Sequence, residues 1–202
     1  MRTITAMRHG RRPLAGAAVL LAALALPAST LAANFPGTPG PDHFVGTVGA
    51  DTMTGLAGDD ILEGLGGPDA IAGGEDDETI YGGDGNDRLG GGAGNDRIRG
   101  GAGADVIAGG DNGDRLAGGS GPDVVSGGAG PDVIYGGDGP DVLVGGIGRD
   151  LVYGGAGNDV IRVGRDATPD AVHCGRGWDI AYVGRFDIAD ASCERVVRTL
   201  ES

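Results

Sequence analysis

The chain has 202 residues, 45 of them Gly and only 4% aromatic, and its 29 acidic residues outnumber 15 basic ones for a net charge of −14. A surface this acidic repels nucleic acid and anionic lipid, which removes both as partners. Composition alone would permit a disordered spacer, so the decision rests on how the residues are ordered along the chain.

At the N-terminus, Arg2, Arg8, Arg11 and Arg12 precede an apolar run from Leu14 to Leu26, followed by Pro27 and small residues up to Ala33. This is the pattern of a secretory signal peptide over residues 1–33, too short to span a bilayer, with cleavage after Ala32 or Ala33. The pair Arg11-Arg12 with Leu14 faintly resembles a twin-arginine signal, but Gly10 precedes it and no aromatic follows, which favours the Sec route. The mature chain would keep 11 basic and 29 acidic residues, a net charge of −18. No other transmembrane segment is visible, so the expected location is secreted, in the calcium-rich extracellular space.

From Gly37 to Arg162 the chain is fourteen consecutive nine-residue windows without insertion or deletion, each reading glycine, usually glycine, any, usually glycine, any, acid, any, apolar, any. The first position is always Gly. The sixth is Asp42, Asp51, Asp60, Asp69, Glu78, Asp87, Asp96, Asp105, Asp114, Asp123, Asp132, Asp141, Asp150 and Asp159, and the eighth is always apolar, from Phe44 and Met53 to Val152 and Ile161. Three residues around the apolar position suit a very short strand with one inward side chain, and the Gly-rich remainder makes a turn. Two windows then close one coil, coils stack as parallel strands about 4.8 Å apart, and the array makes about seven coils. Several turn positions need positive φ or close backbone approach. At the fourth position only Asp76 and Asn112 replace Gly, and these residue types tolerate the left-handed region.

Stacking places every second acid in one column, for example Asp87, Asp105, Asp123, Asp141 and Asp159, at intervals of about 5 Å. Each neighbouring pair repels by about 1 kcal/mol in water and roughly 3 to 4 kcal/mol at an effective dielectric of 20. Two such columns, unneutralised, oppose folding by as much as a whole domain's stability, roughly 5 to 15 kcal/mol. A hard divalent cation between coils removes the repulsion, and an irregular shell of carboxylate and carbonyl oxygen suits Ca²⁺ better than Mg²⁺ or the nitrogen- and sulfur-seeking metals. Strict placement of the apolar residue argues against a disordered spacer when calcium is present. An EF-hand starting at Asp84 fails because its twelfth position is Asn95 and no helix flanks it.

Windows such as Gly82-Gly83-Asp84-Gly85-Asn86-Asp87-Arg88-Leu89-Gly90 and Gly154-Gly155-Ala156-Gly157-Asn158-Asp159-Val160-Ile161-Arg162 resemble the RTX (repeats-in-toxin) nonapeptide of hemolysin-type calcium-binding repeat proteins. The resemblance implies an all-β, right-handed parallel β-roll over residues 34–162, degenerate over 37–72 and well formed over 73–162. It further implies several Ca²⁺ ions between turns on the same edge, held by backbone carbonyls and by Asp51, Asp60, Asp69, Glu78 and the sixth-position Asp residues from Asp87 to Asp159. Windows one to four carry Thr38, Thr47, Leu56 and Leu65 in place of the second Gly, which sets them apart as calcium sites.

After Arg162 the period breaks. Residues 163–202 read as a C-terminal cap over the open end of the solenoid, still alternating Asp with apolar residues through Asp170-Ala171-Val172 and Asp179-Ile180-Ala181, with Trp178 as its apolar plug. Cys174 and Cys193 are the only cysteines of an exported chain and are expected to pair, ahead of free thiols or a metal site. Catalysis has little support: His43 and His173 remain after His9 is removed with the leader, no HExxH or GxSxG element is present, and too few residues precede the repeats for a catalytic domain. The expected function is a secreted calcium-binding module, binding or structural and non-catalytic, that folds on extracellular Ca²⁺. The alternative is a calcium-dependent extracellular hydrolase concealed from sequence reading. An ice-binding face is disfavoured because only Thr52 and Thr79 occupy seventh positions. On the face that carries Thr52, the seventh positions end in Val106, Val124, Val142 and Val160, an apolar strip expected to pack against a second copy or the returning C-terminal tail.

Overall fold

In the computed structural model, residues 32–199 other than 165 are described; the predicted leader lies almost wholly outside them. Among the described residues there is no helix. In chain order the strands are β1 (Asn34–Pro36), β2 (His43–Val45), β3 (Thr52–Ala57), β4 (Ile61–Gly66), β5 (Ala70–Glu75), β6 (Thr79–Asp84), β7 (Arg88–Ala93), β8 (Arg97–Ala102), β9 (Val106–Asp111), β10 (Arg115–Ser120), β11 (Val124–Ala129), β12 (Val133–Asp138), β13 (Val142–Ile147), β14 (Leu151–Ala156), β15 (Val160–Arg162), β16 (Ala171–Arg176), β17 (Ile180–Val183), β18 (Ile188–Ala189) and β19 (Arg195–Arg198). Odd-numbered strands form one ten-stranded parallel sheet and even-numbered strands a nine-stranded one. The chain therefore winds as a parallel β-solenoid, one strand per window, each coil contributing one strand to each sheet.

The apolar eighth residue explains the winding. Met53, Leu62, Ile80, Ile107, Leu116, Ile134, Leu143 and Ile161 are all fully buried between the sheets. Their neighbours at the seventh and ninth positions face out, as period-two alternation requires. Phe35 extends the core one window before the array and packs against Phe44 at 5.6 Å between ring centroids, the rings tilted by 33°.

Two expectations change. Interior strands are six residues long, because the ladder runs on from the seventh to ninth positions into the second and third of the next window, as in Arg115↔Val133, Ala117↔Tyr135 and Gly119↔Gly137. The first position is left out of the register and turns inward. The coil count is about nine, not seven, because residues 171–198 supply four more strands: β16 and β17 add to β14 and β15, and β18 and β19 add to those. The tail strand β19 extends the sheet edge beside β17 and does not lie over the valine strip; Val106 and Val124 stay 45% and 44% exposed. Nor is Trp178 a plug, since it is 68% exposed on a turn. Val172, Ala181 and Val183 fill the interior there instead.

Cys174 and Cys193 form a disulfide. Cys174 stands in the inward first position, where the array carries only Gly, and its side chain is fully buried. Its partner lies in the turn before β19, so the bond ties the last coil to the one beneath it. The variant Cys174→Ser should lose about 2 to 4 kcal/mol of stability in denaturant titration of the calcium-loaded protein. A midpoint unchanged from wild type would show that the end is held by packing alone.

Candidate metal centre

Each regular window brings its acid to the end of the turn that feeds a strand. The side chain then crosses to the preceding coil. Asp87 Oδ1 accepts the Asp69 amide at 2.8 Å, Asp105 accepts Asp87 at 2.9 Å, Asp123 accepts Asp105 at 2.8 Å and Asp141 accepts Asp123 at 2.8 Å. The other column repeats this through Asp114, Asp132 and Asp150 at 2.9, 2.8 and 3.0 Å. One carboxylate oxygen per window is thus committed to holding adjacent coils at a fixed separation.

The second oxygen has no partner. Among the described residues the buried Oδ2 atoms of Asp60, Asp69, Asp87, Asp96, Asp105, Asp114, Asp123, Asp132, Asp141, Asp150, Asp159, Asp170 and Asp179, and both carboxylate oxygens of Glu78, lack any hydrogen-bond donor. Fourteen residues share this condition, seven in each column. Their surroundings add another acceptor: a Cβ placed on Gly82 would overlap Asp87 Oδ2 and lie 2.6 Å from the Gly100 carbonyl oxygen. Two oxygen acceptors thus border one small space from which any side chain is excluded. This arrangement fits a hard cation, and the donor set is all oxygen, as Ca²⁺ prefers. No three carboxylates, imidazoles or thiols converge among the described residues, so most of an ion's shell must come from main-chain carbonyls, with each carboxylate supplying charge.

The electrostatics agree. Burial raises the pKa of Asp69, Asp105, Asp132 and Asp159 to about 6, and of Asp114, Asp141 and Asp170 to about 7. The accepted backbone amide pulls each down, and neighbouring carboxylates, such as Asp123 and Asp159 beside Asp141, push it up again. Burial thus disfavours the bare carboxylate and favours protonation or a nearby positive charge.

The predicted ligands do not all behave alike. Asp51 is satisfied without a cation: the Ala33 amide and the Thr47 hydroxyl reach Oδ1 at 2.7 and 3.1 Å, and the Thr47 amide reaches Oδ2 at 2.5 Å. Asp42 is closed in the same way by Thr38. Windows three and four, also lacking the second Gly, still present orphaned Asp60 and Asp69, because Leu56 and Leu65 adopt the glycine conformation at φ 88° and 77°. Substitution by Thr removes the demand for a cation, whereas substitution by Leu preserves it at the cost of backbone strain. Glu78 is also irregular: its longer side chain makes no bond to the Asp60 amide, and its acid is raised by burial and by Asp96. Beyond the period, Asp170 and Asp179 join the columns by accepting the Asp150 and Asp159 amides, both at 2.8 Å. Spacing hides them, since they follow their predecessors by 20 residues instead of 18. The Asp-x-apolar triplet could have found them.

Because these acids are raised in the fold relative to the unfolded chain, protonation favours the cation-free fold. That stabilisation is complete below about pH 4 and is lost as pH rises through about 6 to 7. In calcium-free buffer, circular dichroism should accordingly show strand signal near pH 4 that disappears by pH 7.5. Strand content that instead grows with pH would contradict the orphan-oxygen geometry.

The family model of the RTX calcium-binding nonapeptide repeat (4 copies) matches residues 36–71, 54–89, 72–107, 90–125, 108–143 and 135–167. No curated protein matches the sequence. The matched stretches run through every window of the array, and within them sit twelve of the fourteen residues with orphaned oxygens. The chain belongs to the RTX calcium-binding nonapeptide repeat family.

Proposed function

We propose that this is a secreted, non-catalytic protein whose solenoid folds on calcium, with Asp60, Asp69, Glu78, the regular Asp residues from Asp87 to Asp159, and also Asp170 and Asp179 as the carboxylates that hold the ions. The observation that carries this reading is the set of buried oxygens without donors. When bound, Ca²⁺ supplies the positive charge and oxygen ligation that these atoms lack. The chain's own residues do the rest: the committed Oδ1 fixes the coil separation, and from Gly55 to Gly154 the inward first Gly leaves space beside Oδ2, whereas Asp179 has Cys174 in that position. Asp51, predicted as a ligand, falls outside the proposed set because Thr47 and Ala33 already satisfy it. Export is supported by the disulfide, which persists in oxidising compartments, and by the leader-like N-terminus. Absence of catalysis is supported by the use of the Asp columns in ligation and by His173 being engaged with Asp190 at 2.7 Å.

Titration of the calcium-free protein at pH 7.5 should give a steep gain of strand signal at about 0.1 to 1 mM Ca²⁺, the range of extracellular modules, with the steepness coming from coupled neighbouring coils. Calorimetry should find no more ions than the fourteen orphaned carboxylates. Full strand content without calcium at that pH would end the proposal. Asp123→Ala should raise the calcium midpoint several-fold, while Asp51→Ala should lower thermal stability and leave the midpoint in place. Equal shifts in the two variants would mean that the threonine-closed windows bind calcium as well.

We also propose that the strip Val106, Val124, Val142 and Val160 contacts a second copy, Val106 and Val124 being half-exposed in the middle of a sheet. Val124→Glu with Val142→Glu should convert a calcium-loaded dimer to monomer in sedimentation, with calcium binding intact. Identical sedimentation of wild type and variant would identify the strip as strand surface only.

A further inference from the structure

The outer face of the nine-stranded sheet carries a row of planar side chains, one per coil. Register places Tyr81, Arg99, Ala117, Tyr135, Tyr153 and His173 in line at the ninth position. Tyr135 stacks on Tyr153 at 5.0 Å, and Tyr153 on His173 at 4.9 Å, with the rings within 5° and 11° of parallel. Ala117 is the one rung without a planar group. Two coil spacings separate its neighbours, about 9.6 Å, so roughly one ring can lie between Arg99 and Tyr135. Arg115 lies over the Tyr135 ring, its guanidinium carbon 5.0 Å from the ring centroid and its Nη2 donating to the Tyr135 hydroxyl at 3.3 Å.

The charge around the gap is unusual for this chain. Arg97, Arg99 and Arg115 converge on a groove of about 450 Å³ that Tyr81, Ala117 and Tyr135 complete. Among the described residues none of the three is in an ion pair with a carboxylate, although acids outnumber bases 29 to 15 in the chain. Arg97 is felt by the exposed Asp77, whose carboxyl is held below the usual carboxylate range first by the Asn95 amide and last by Arg97. Unquenched guanidiniums beside an aromatic face are the donor set for a planar anion, since a guanidinium grips a carboxylate through two parallel N–H bonds and also stacks on rings. The volume matches small-molecule sites, roughly 300 to 1,000 Å³. Nucleic acid, which would also meet arginine and tyrosine, is opposed by the acidity of the whole surface.

We propose that the groove over Ala117 binds a ring bearing a carboxylate, with the ring seated against Tyr135 in the vacant rung and the carboxylate held by Arg97, Arg99 and Arg115. Arg115 keeps the Tyr135 face covered until the ligand's ring displaces it. Aromatic acids and uronic sugars share this chemistry. The groove opens on the sheet face, although Arg97 and Arg115 also border the column acids Glu78, Asp96 and Asp114, and the proposal goes beyond the calcium reading.

The test uses calcium-loaded protein and four probes in calorimetry or ligand-observed NMR: benzoate, glucuronate, acetate and inorganic phosphate. One of the two rings should bind at least tenfold more tightly than acetate or phosphate, and which one does so identifies the source. Ala117→Tyr restores the missing rung and should weaken that binding at least tenfold, with circular dichroism and calcium midpoint unchanged. Arg99→Gln should weaken it as well and serves if the tyrosine variant folds poorly. Ring probes that bind no better than acetate or phosphate would overturn the proposal, as would undiminished binding by both variants.

Discussion

Everything in this solenoid depends on how one carboxylate divides its two oxygens. Oδ1 reaches back a full coil to an amide and sets the stacking, and Oδ2 is thereby left buried without a donor beside a carbonyl oxygen of the neighbouring coil. A buried acceptor without a donor costs free energy of the order of 1 to 3 kcal/mol, more if charged. Repeating that cost through two columns makes the fold conditional on something that brings positive charge. The requirement for glycine at the first position follows from the same geometry, because a Cβ there would occupy the space beside Oδ2. Core burial cannot relieve the condition, with only two inward side chains available in each eighteen-residue coil to oppose the entropy of ordering a glycine-rich chain.

This division also explains why the windows are not equivalent. Thr in the second position brings an amide and a hydroxyl onto its own window's carboxylate, so Asp42 and Asp51 close internally. Leu in the same position brings neither. It instead accepts the left-handed conformation, and Asp60 and Asp69 remain orphaned like their regular neighbours. Conformity to the consensus is therefore a poorer guide to cation demand than the donor inventory of each loop.

Strict period made most of this legible in the sequence. The two sheets, the inward eighth residue, the paired columns and the left-handed Asp76 and Asn112 (φ 82° and 75°) all follow from counting in nines. What counting could not reach is where the period stretches. Asp170 and Asp179 take their places because the single connection after Arg162 is two residues longer and shifts both, and a solenoid tolerates length changes in turns while fixing the strands. The extra coils were hidden for that reason, and Trp178, which hydrophobicity alone would send inward, sits exposed on the turn before Asp179. Strand length was underread because glycine is a poor strand residue in isolation. In the array the neighbouring coil supplies its hydrogen bonds.

The two ends of the solenoid dispense with the cation by different means. At the N-terminal end threonines satisfy the carboxylates. At the C-terminal end Asp187 Oδ2 accepts the Gly184 amide at 2.5 Å, Asp190 is engaged by Ser192 and His173, and a disulfide occupies the inward position that is always glycine within the array. Terminal repeats have only one neighbour and receive only half the interface energy of an interior repeat. A terminal carboxylate in need of an ion would meet that ion with one coil's carbonyls missing, and so would bind it most weakly where stacking is already poorest. Closing the end acids with covalent, hydroxyl and amide partners confines the cation-dependent carboxylates to the interior, between coils that can each supply half of a ligand shell.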